Sequence, residues 1–129
     1  MKRFAVIISL FVFLLSYLGI ASASILSDPV FESATTNLKA TKNASFYAVT
    51  SSEQNSIKIT RVRLYKLNSN GTWSYIRDLP IPTNEATNTV LFGAMKDYSS
   101  YIGTGTYRLY TTFCADGHYI SRYSNTKTY

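Results

Sequence analysis

One cysteine, Cys114, stands in a chain of 129 residues. An internal disulfide is therefore impossible, which excludes the stapled frameworks common in small exported domains. One histidine, His118, is present. With Cys114 it cannot complete a four-ligand zinc site without carboxylates from elsewhere. The seven acidic residues are scattered, with no calcium-loop spacing. A glycosidase carboxylate pair can lie far apart in sequence, and nothing selects one here. No metal and no cofactor are implied. Lysine and arginine never form a run, so no nucleic-acid arm is expected. No long repeat and no low-complexity linker appear, and no helix-period stretch follows Ala23.

What the chain does have begins at its N-terminus. Lys2 and Arg3 precede an apolar run from Phe4 to Ile20, broken only by Ser9 and Ser16, and Ala21-Ser22-Ala23 supplies a small-residue cleavage box. Charge, apolar core and box in that order make residues 1–23 a secretory signal peptide, an N-terminal hydrophobic helix removed on export. The rival reading is an uncleaved anchor. The run falls just short of the ~20 residues a membrane span needs. Lipid anchoring would require a cysteine just after the signal, where none stands. No second long apolar run follows, so the membrane is reached only through this segment, if it is retained. The expected location is secreted or extracellular, the alternative an anchored protein.

Cleavage after Ala23 leaves residues 24–129, 106 residues, as one domain with a core large enough to fold alone. Lys2 and Arg3 leave with the signal, so the formal charge falls from +6 to +4. A basic exported domain favours anionic partners such as cell-wall polymers. Stability must come from packing, and the mature part keeps Trp73, ten tyrosines, Phe31, Phe46, Phe92 and Phe113. A tyrosine- and phenylalanine-rich interior is expected. The lone thiol of Cys114 is either buried and inert, the favoured reading, or exposed and able to cross-link.

Alternation of apolar and polar residues, with many Thr, Tyr, Val and Ile, predicts strands throughout. Ser24–Ser33 reads as a leader or a short first strand, with a turn at Asp28-Pro29, and Asn37–Thr41 as an edge strand. In Ala44–Thr50, Phe46 and Ala48 share one face, Tyr47 and Val49 the other. Ser51–Ser56 reads as a polar loop. Ile57–Leu67 is the strongest strand, but its apolar phase changes from odd at Ile57 and Ile59 to even at Val62 and Leu64. A bulge near Thr60-Arg61 restores one continuous buried face. Asn70-Gly71 signals a hairpin leading into Thr72–Ile76. Asp78–Thr87, with Pro80 and Pro82, is a crossing loop. Thr89–Phe92 reads as a short buried strand ended by Gly93, and Ala94–Tyr101 as a loop or a helical turn. Gly105–Ala115 is the second long strand, turned at Asp116-Gly117 into His118–Tyr123. About seven strands in this length predict an all-β fold, an antiparallel β-sandwich.

Gly105-Thr106-Tyr107 resembles the corner before the sixth strand of immunoglobulin-like and fibronectin-type sandwiches. There a tyrosine hydroxyl returns to the backbone of the preceding loop. The resemblance implies an immunoglobulin-like, Greek-key arrangement and carries no functional residues. The family's cysteine pair is absent, with Leu109 where one would stand.

Two constellations compete for function. Cys114, Asp116 and His118 surround one hairpin. If the loop is Ala115-Asp116-Gly117, Cys114 and His118 face each other and the imidazole can activate the thiol, as in a Cys/His hydrolase. If the loop is Asp116-Gly117 alone, they lie on opposite faces. The second constellation is a basic-aromatic stripe. With Val62 and Leu64 inward, Arg61, Arg63 and Tyr65 point outward. With Tyr107 and Leu109 inward, Arg108 and Tyr110 point outward, and Arg122 joins them from the last strand. Arginine offers bidentate donors to phosphate or carboxylate, and tyrosine a ring face and a hydroxyl. Two readings of these residues stay open: an ordinary solvated outer face, where such side chains also occur on sheets, or the binding site of a non-enzymatic, extracellular or cell-envelope module. Its partner would be an anionic cell-wall polymer, a polysaccharide or a protein surface, with no specific nucleic acid. A secreted antagonist, a small toxin or enzyme inhibitor, fits the same size, charge and export signal. Asn43-Ala44-Ser45 and Asn70-Gly71-Thr72 match the N-glycosylation pattern.

Overall fold

The computed structural model describes residues 29–129. The expected signal peptide, its helix and its cleavage point lie outside the described residues. Nine strands and no helix are present among the residues described: β1 (Phe31–Leu38), β2 (Asn43–Gln54), β3 (Ile57–Leu67), β4 (Trp73–Leu79), β5 (Glu85–Ala86), β6 (Thr89–Asp97), β7 (Thr106–Ala115), β8 (His118–Tyr123) and β9 (Lys127–Thr128). Seven of them run for six residues or more; β5 and β9 are two-residue pairings at the ends of β3 and β7. All pairings are antiparallel. One sheet has the order β1-β2-β6, the other β4-β3-β7-β8 with β5 and β9 alongside.

The two sheets share one core in a sandwich-like arrangement. Phe31, Leu38, Phe46 and Phe92 come from the first sheet; Ile57, Ile59, Val62, Leu64, Leu109 and Phe113 come from the second. Each such side chain contributes roughly 1.5–3 kcal/mol by leaving water. Phe92 and Phe113 meet edge to face across the layers, with ring centres 6.4 Å apart. Polar contact crosses as well: the buried Thr36 hydroxyl donates to Thr111 at 2.9 Å. Burial within the core leaves neither hydroxyl exposed, so the bond offsets a desolvation cost.

The tyrosines depart from the expected interior. Among the described residues, Tyr98 and Tyr107 are the only buried tyrosines. Phenylalanine and aliphatic residues fill the space between the sheets, because a buried phenol needs a partner for its hydroxyl. Tyr98 has one, donating to the Pro80 carbonyl at 2.7 Å. Tyr107 donates to the Thr104 carbonyl at 3.3 Å, the corner contact expected at Gly105-Thr106-Tyr107. Gly105 there has φ +135°, and a Cβ would stand 2.7 Å from the Lys66 side chain. That conformation suits glycine and disfavours other residues.

Strand phase is set by irregularities. The β3–β7 register shifts between Ile59 and Arg61, so Thr60 is the extra residue of a bulge. Ile57, Ile59, Val62 and Leu64 are consequently all buried on one face. The bulge falls where the change of apolar phase requires it. A second shift, between Leu64 and Tyr65 on the β3–β4 pair, leaves Ile76 unpaired and exposed on β4.

Several boundaries differ from expectation. β1 begins at Phe31 and ends at Leu38, where the chain turns through Lys42 at φ 65°. β2 runs through the polar Ser51–Gln54 segment, because backbone pairing does not require apolar side chains. β4 continues through Asp78 to Leu79, so the crossing loop starts at Pro80. β6 continues past Gly93 to Asp97 and is an edge strand, with only Phe92 buried. Ala94–Asp97 is therefore strand, followed by a turn in which Tyr101 and Ile102 both donate to the Tyr98 carbonyl.

Candidate functional site

The outer face of the larger sheet carries the expected residues, with one exception. Cross-strand pairing sets Arg63 opposite Tyr110 and Tyr65 opposite Arg108. Two adjacent rungs therefore alternate guanidinium and phenol in a checkerboard. Arg61 pairs with Thr112 one rung further along the same face and is exposed. β8 lies beside β7, so the three strands are neighbours. Arg122, however, pairs with Thr111, whose side chain is buried between the sheets. Alternation thus turns Arg122 to the opposite side, and Tyr123, partner of Tyr110, joins the outer face instead.

Three aromatic residues outside the expected stripe complete the cluster. Tyr75 pairs with Tyr65 and Trp73 with Leu67 from β4; Tyr123 arrives from β8. Tyr65 meets Tyr75, Tyr110 and Tyr123 edge to face at centre distances of 5.9, 6.5 and 6.0 Å. Tyr110 and Tyr123 lie 4.6 Å apart with planes tilted by 49°. Such ring pairs contribute roughly 0.5–1.5 kcal/mol each beyond burial. The signal for Tyr123 was present in its strand phase. The Trp73–Tyr75 placement depends on the Ile76 irregularity and had no sequence signal.

Both arginines are held by the rings. The Arg108 guanidinium carbon lies 4.2 Å from the centre of the Trp73 ring and 3.9 Å from that of Tyr123. The Arg63 guanidinium carbon lies 5.6 Å from the Tyr75 ring centre, and its Nε is 3.5 Å from Asp78 Oδ1, an ion-pair distance without hydrogen-bond geometry. The Nε atoms of both arginines are shielded from water and lack a hydrogen-bond partner. Tyr75 donates to Asp78 at 3.0 Å. Loss of hydration, and then that bond, raise the Tyr75 phenol above its ordinary pKa.

The thiol constellation does not assemble. Ala115 pairs with His118 and Cys114 with Tyr119, so the loop is Asp116-Gly117 alone. Both loop residues have positive φ, 45° and 81°, the signature of a tight hairpin turn. Cys114 is buried and His118 exposed, with side chains on opposite faces. Hydrogen bonding to Cys114 raises the pKa of the Tyr119 phenol. Asp116 serves the fold instead. Its carboxylate accepts from the Asn55 and Ser56 amides at 2.7 and 2.9 Å, tying this turn to the β2–β3 turn.

No group of three or more His, Cys, Asp or Glu able to hold a metal occurs among the described residues. No helix among them is long and apolar enough to cross a membrane. The opposite outer face, on the smaller sheet, differs in character: Tyr47, Leu91 and Met95 are all exposed there, with Gly93 paired to Tyr47. No family model, no curated protein and no solved structure matches the chain.

Proposed function

We propose that this chain is an exported, non-enzymatic binding module that works outside the cell or in the cell envelope, holding an anionic or carbohydrate-containing polymer on the outer face of its larger sheet. The observation that carries this reading is the convergence of Arg63 and Arg108 with Tyr65, Trp73, Tyr75, Tyr110 and Tyr123 on one exposed face. A solvated sheet face has no need of two guanidinium groups held among rings. A polymer surface uses both kinds of group, the donors for its charge and the rings for its apolar edges. The export signal, residues 1–23, supports the location.

The scaffold of this reading is an immunoglobulin-like Greek-key sandwich. Its support is the strand order. β1, β2 and β6 correspond to the first, second and fifth strands of that architecture; β3, β7 and β8 correspond to the third, sixth and seventh. β4 then lies beside β3 on the second sheet. The Tyr107 corner stands at the start of the sixth-strand equivalent.

The test is a pull-down of the protein on purified wall polymers and membranes across a salt series. Adsorption at low salt that falls as salt rises is expected, since surface charges are screened. Arg63→Ala with Arg108→Ala should abolish it while unfolding transitions stay cooperative. Undiminished retention of that double variant removes the reading.

A second reading, a secreted antagonist directed at a protein, is favoured by the exposed Tyr47, Leu91 and Met95. It predicts no polymer adsorption at any salt and growth inhibition or permeabilisation when the protein is added to cells.

A further inference from the structure

We infer that the ligand class of the arginine-tyrosine face is an acidic polysaccharide, one whose sugars themselves carry carboxylate or sulfate groups; this rests on the binding-module reading above. The state of Arg108 points to an anion. Its planar cation lies against two rings, and no ion pair among the described residues involves it. Ring contact uses the faces of a guanidinium and leaves its in-plane N–H edge for an acceptor. With Nε shielded from water, the edge formed by the two terminal Nη groups is the one that fits a two-oxygen anion in bidentate fashion. Packing against the Trp73 and Tyr123 rings restricts the side chain before any ligand arrives, which lowers the ordering cost of binding.

The spacing of the cations points to a polymer. Arg63 and Arg108 stand on diagonal positions of adjacent rungs, roughly 7–8 Å apart along the sheet. Arg61 adds a third cation on the same face. Asp78 is the acid beside Arg63 and offsets part of that charge. A polymer with an anion on each sugar meets such an array at more than one point, which raises avidity without any deep pocket.

The orientation of the rings points to sugar. The planes of Tyr65 and Tyr75 cross at 66°, of Tyr65 and Tyr110 at 85°, and of Tyr110 and Tyr123 at 49°. Nucleic-acid bases need open, flat ring faces on which to stack. Crossed rings instead offer edges, partial faces and phenol hydroxyls side by side. A puckered sugar, with C–H groups on one side and hydroxyls around its rim, matches that mixture.

The experiment measures binding of the purified protein to polygalacturonate, to the same polymer fully methyl-esterified, to dextran sulfate, to neutral dextran, to polyphosphate and to a single-stranded oligonucleotide. Binding to polygalacturonate, dextran sulfate or both is expected. Methyl-esterification should weaken it by at least about tenfold, the loss of one charge-assisted hydrogen bond. Which of the two anionic glycans binds tells carboxylate from sulfate recognition. Arg108→Lys, which keeps the charge but removes the planar fork, should also weaken binding about tenfold. The comparison of esterified with free polymer needs no variant, so a folding defect cannot obscure the outcome. Equal binding to the esterified polymer or to dextran overturns the requirement for charge. Equal or tighter binding to polyphosphate or the oligonucleotide overturns the requirement for sugar. Failure on every probe, with retention on wall polymers intact, overturns this inference and leaves the module reading standing; failure of both sinks the two together.

Discussion

Asn125 satisfies both main-chain polar groups of Leu38: its Oδ1 accepts from the Leu38 amide at 2.7 Å and its Nδ2 donates to the Leu38 carbonyl at 2.9 Å. A side-chain amide thus substitutes for a neighbouring strand at the end of β1. It joins the segment after β8 to the opposite sheet. Leu38 itself is buried, so its backbone has little access to water if the clamp is lost. Asn125→Ala should cost roughly 1–3 kcal/mol. Asn125→Asp keeps an acceptor for the amide but opposes the carbonyl with negative charge, and should not restore stability. Urea unfolding of the two variants checks this; an Asn125→Ala midpoint equal to that of the parent would mean that the clamp contributes nothing.

The hydroxyl pair between the layers makes a different prediction. Thr111→Val leaves Thr36 with a buried donor and no acceptor, and should destabilise by about 1–3 kcal/mol. Thr36→Val with Thr111→Val removes both partners while preserving shape, and should recover most of the loss. A double-mutant cycle measures the coupling.

Deleting Thr60 should be far less damaging than deleting its exposed neighbour Lys58. Thr60 is the extra residue of the bulge, and without it Ile57, Ile59, Val62 and Leu64 alternate in unbroken phase. The shortened strand keeps one buried face. Deletion of Lys58 sets Ile57 directly beside Ile59 in sequence, and alternation turns Ile57 out of the core. Losing a buried isoleucine should cost about 2–5 kcal/mol. Circular-dichroism melts of the two deletions check the order; a Thr60 deletion that melts as low as the Lys58 deletion contradicts the bulge's role in phase.

Tyr98 gives the chain an alkaline limit. Burial first, and then the neighbouring Tyr101, raise its phenol well above the ordinary value of 10.0. The unfolded chain therefore releases this proton at lower pH than the folded one. Tyr98's contribution is complete below about pH 10 and is lost as pH rises beyond it. Tyr98→Phe should lose roughly 1 kcal/mol at neutral pH with the Pro80 bond. It should also decline less steeply from about pH 9 to 11. Parallel slopes for parent and variant over that interval would count against a buried neutral phenol.

At the β7–β8 turn, Asp116→Gly keeps a residue at ease with positive φ but removes the acceptor for two amides. It should cost about 1–2 kcal/mol. Asp116→Val adds backbone strain and should be worse still. Thermal unfolding ranks the parent, Gly and Val variants in that order.

Local chemistry made much of this molecule legible. The alternation in Ile57–Leu67 and Gly105–Ala115 requires two long strands, and its break at Thr60 requires a bulge, because side-chain direction has a period of two. Asp116-Gly117 marks a turn by its tolerance of positive φ, but its length, two residues rather than three, is set by the Ala115–His118 pairing. Alternation and the bulge turned Arg61, Arg63 and Tyr65 outward on one strand and Arg108 and Tyr110 outward on the other; the β3–β7 pairing put them on one face. Other features depended on which strand lies beside which. The Tyr75 and Trp73 rings reach the arginines only because β4 pairs with β3 through an irregularity at Ile76. Arg122 turns away because its register with β7 pairs it with a buried threonine. The tyrosines spread over the surface because the space between the sheets was filled by residues with no hydroxyl to satisfy. Pairing register, edge position and the partners of buried polar groups arise from contacts distant in sequence, and only the folded chain decides them.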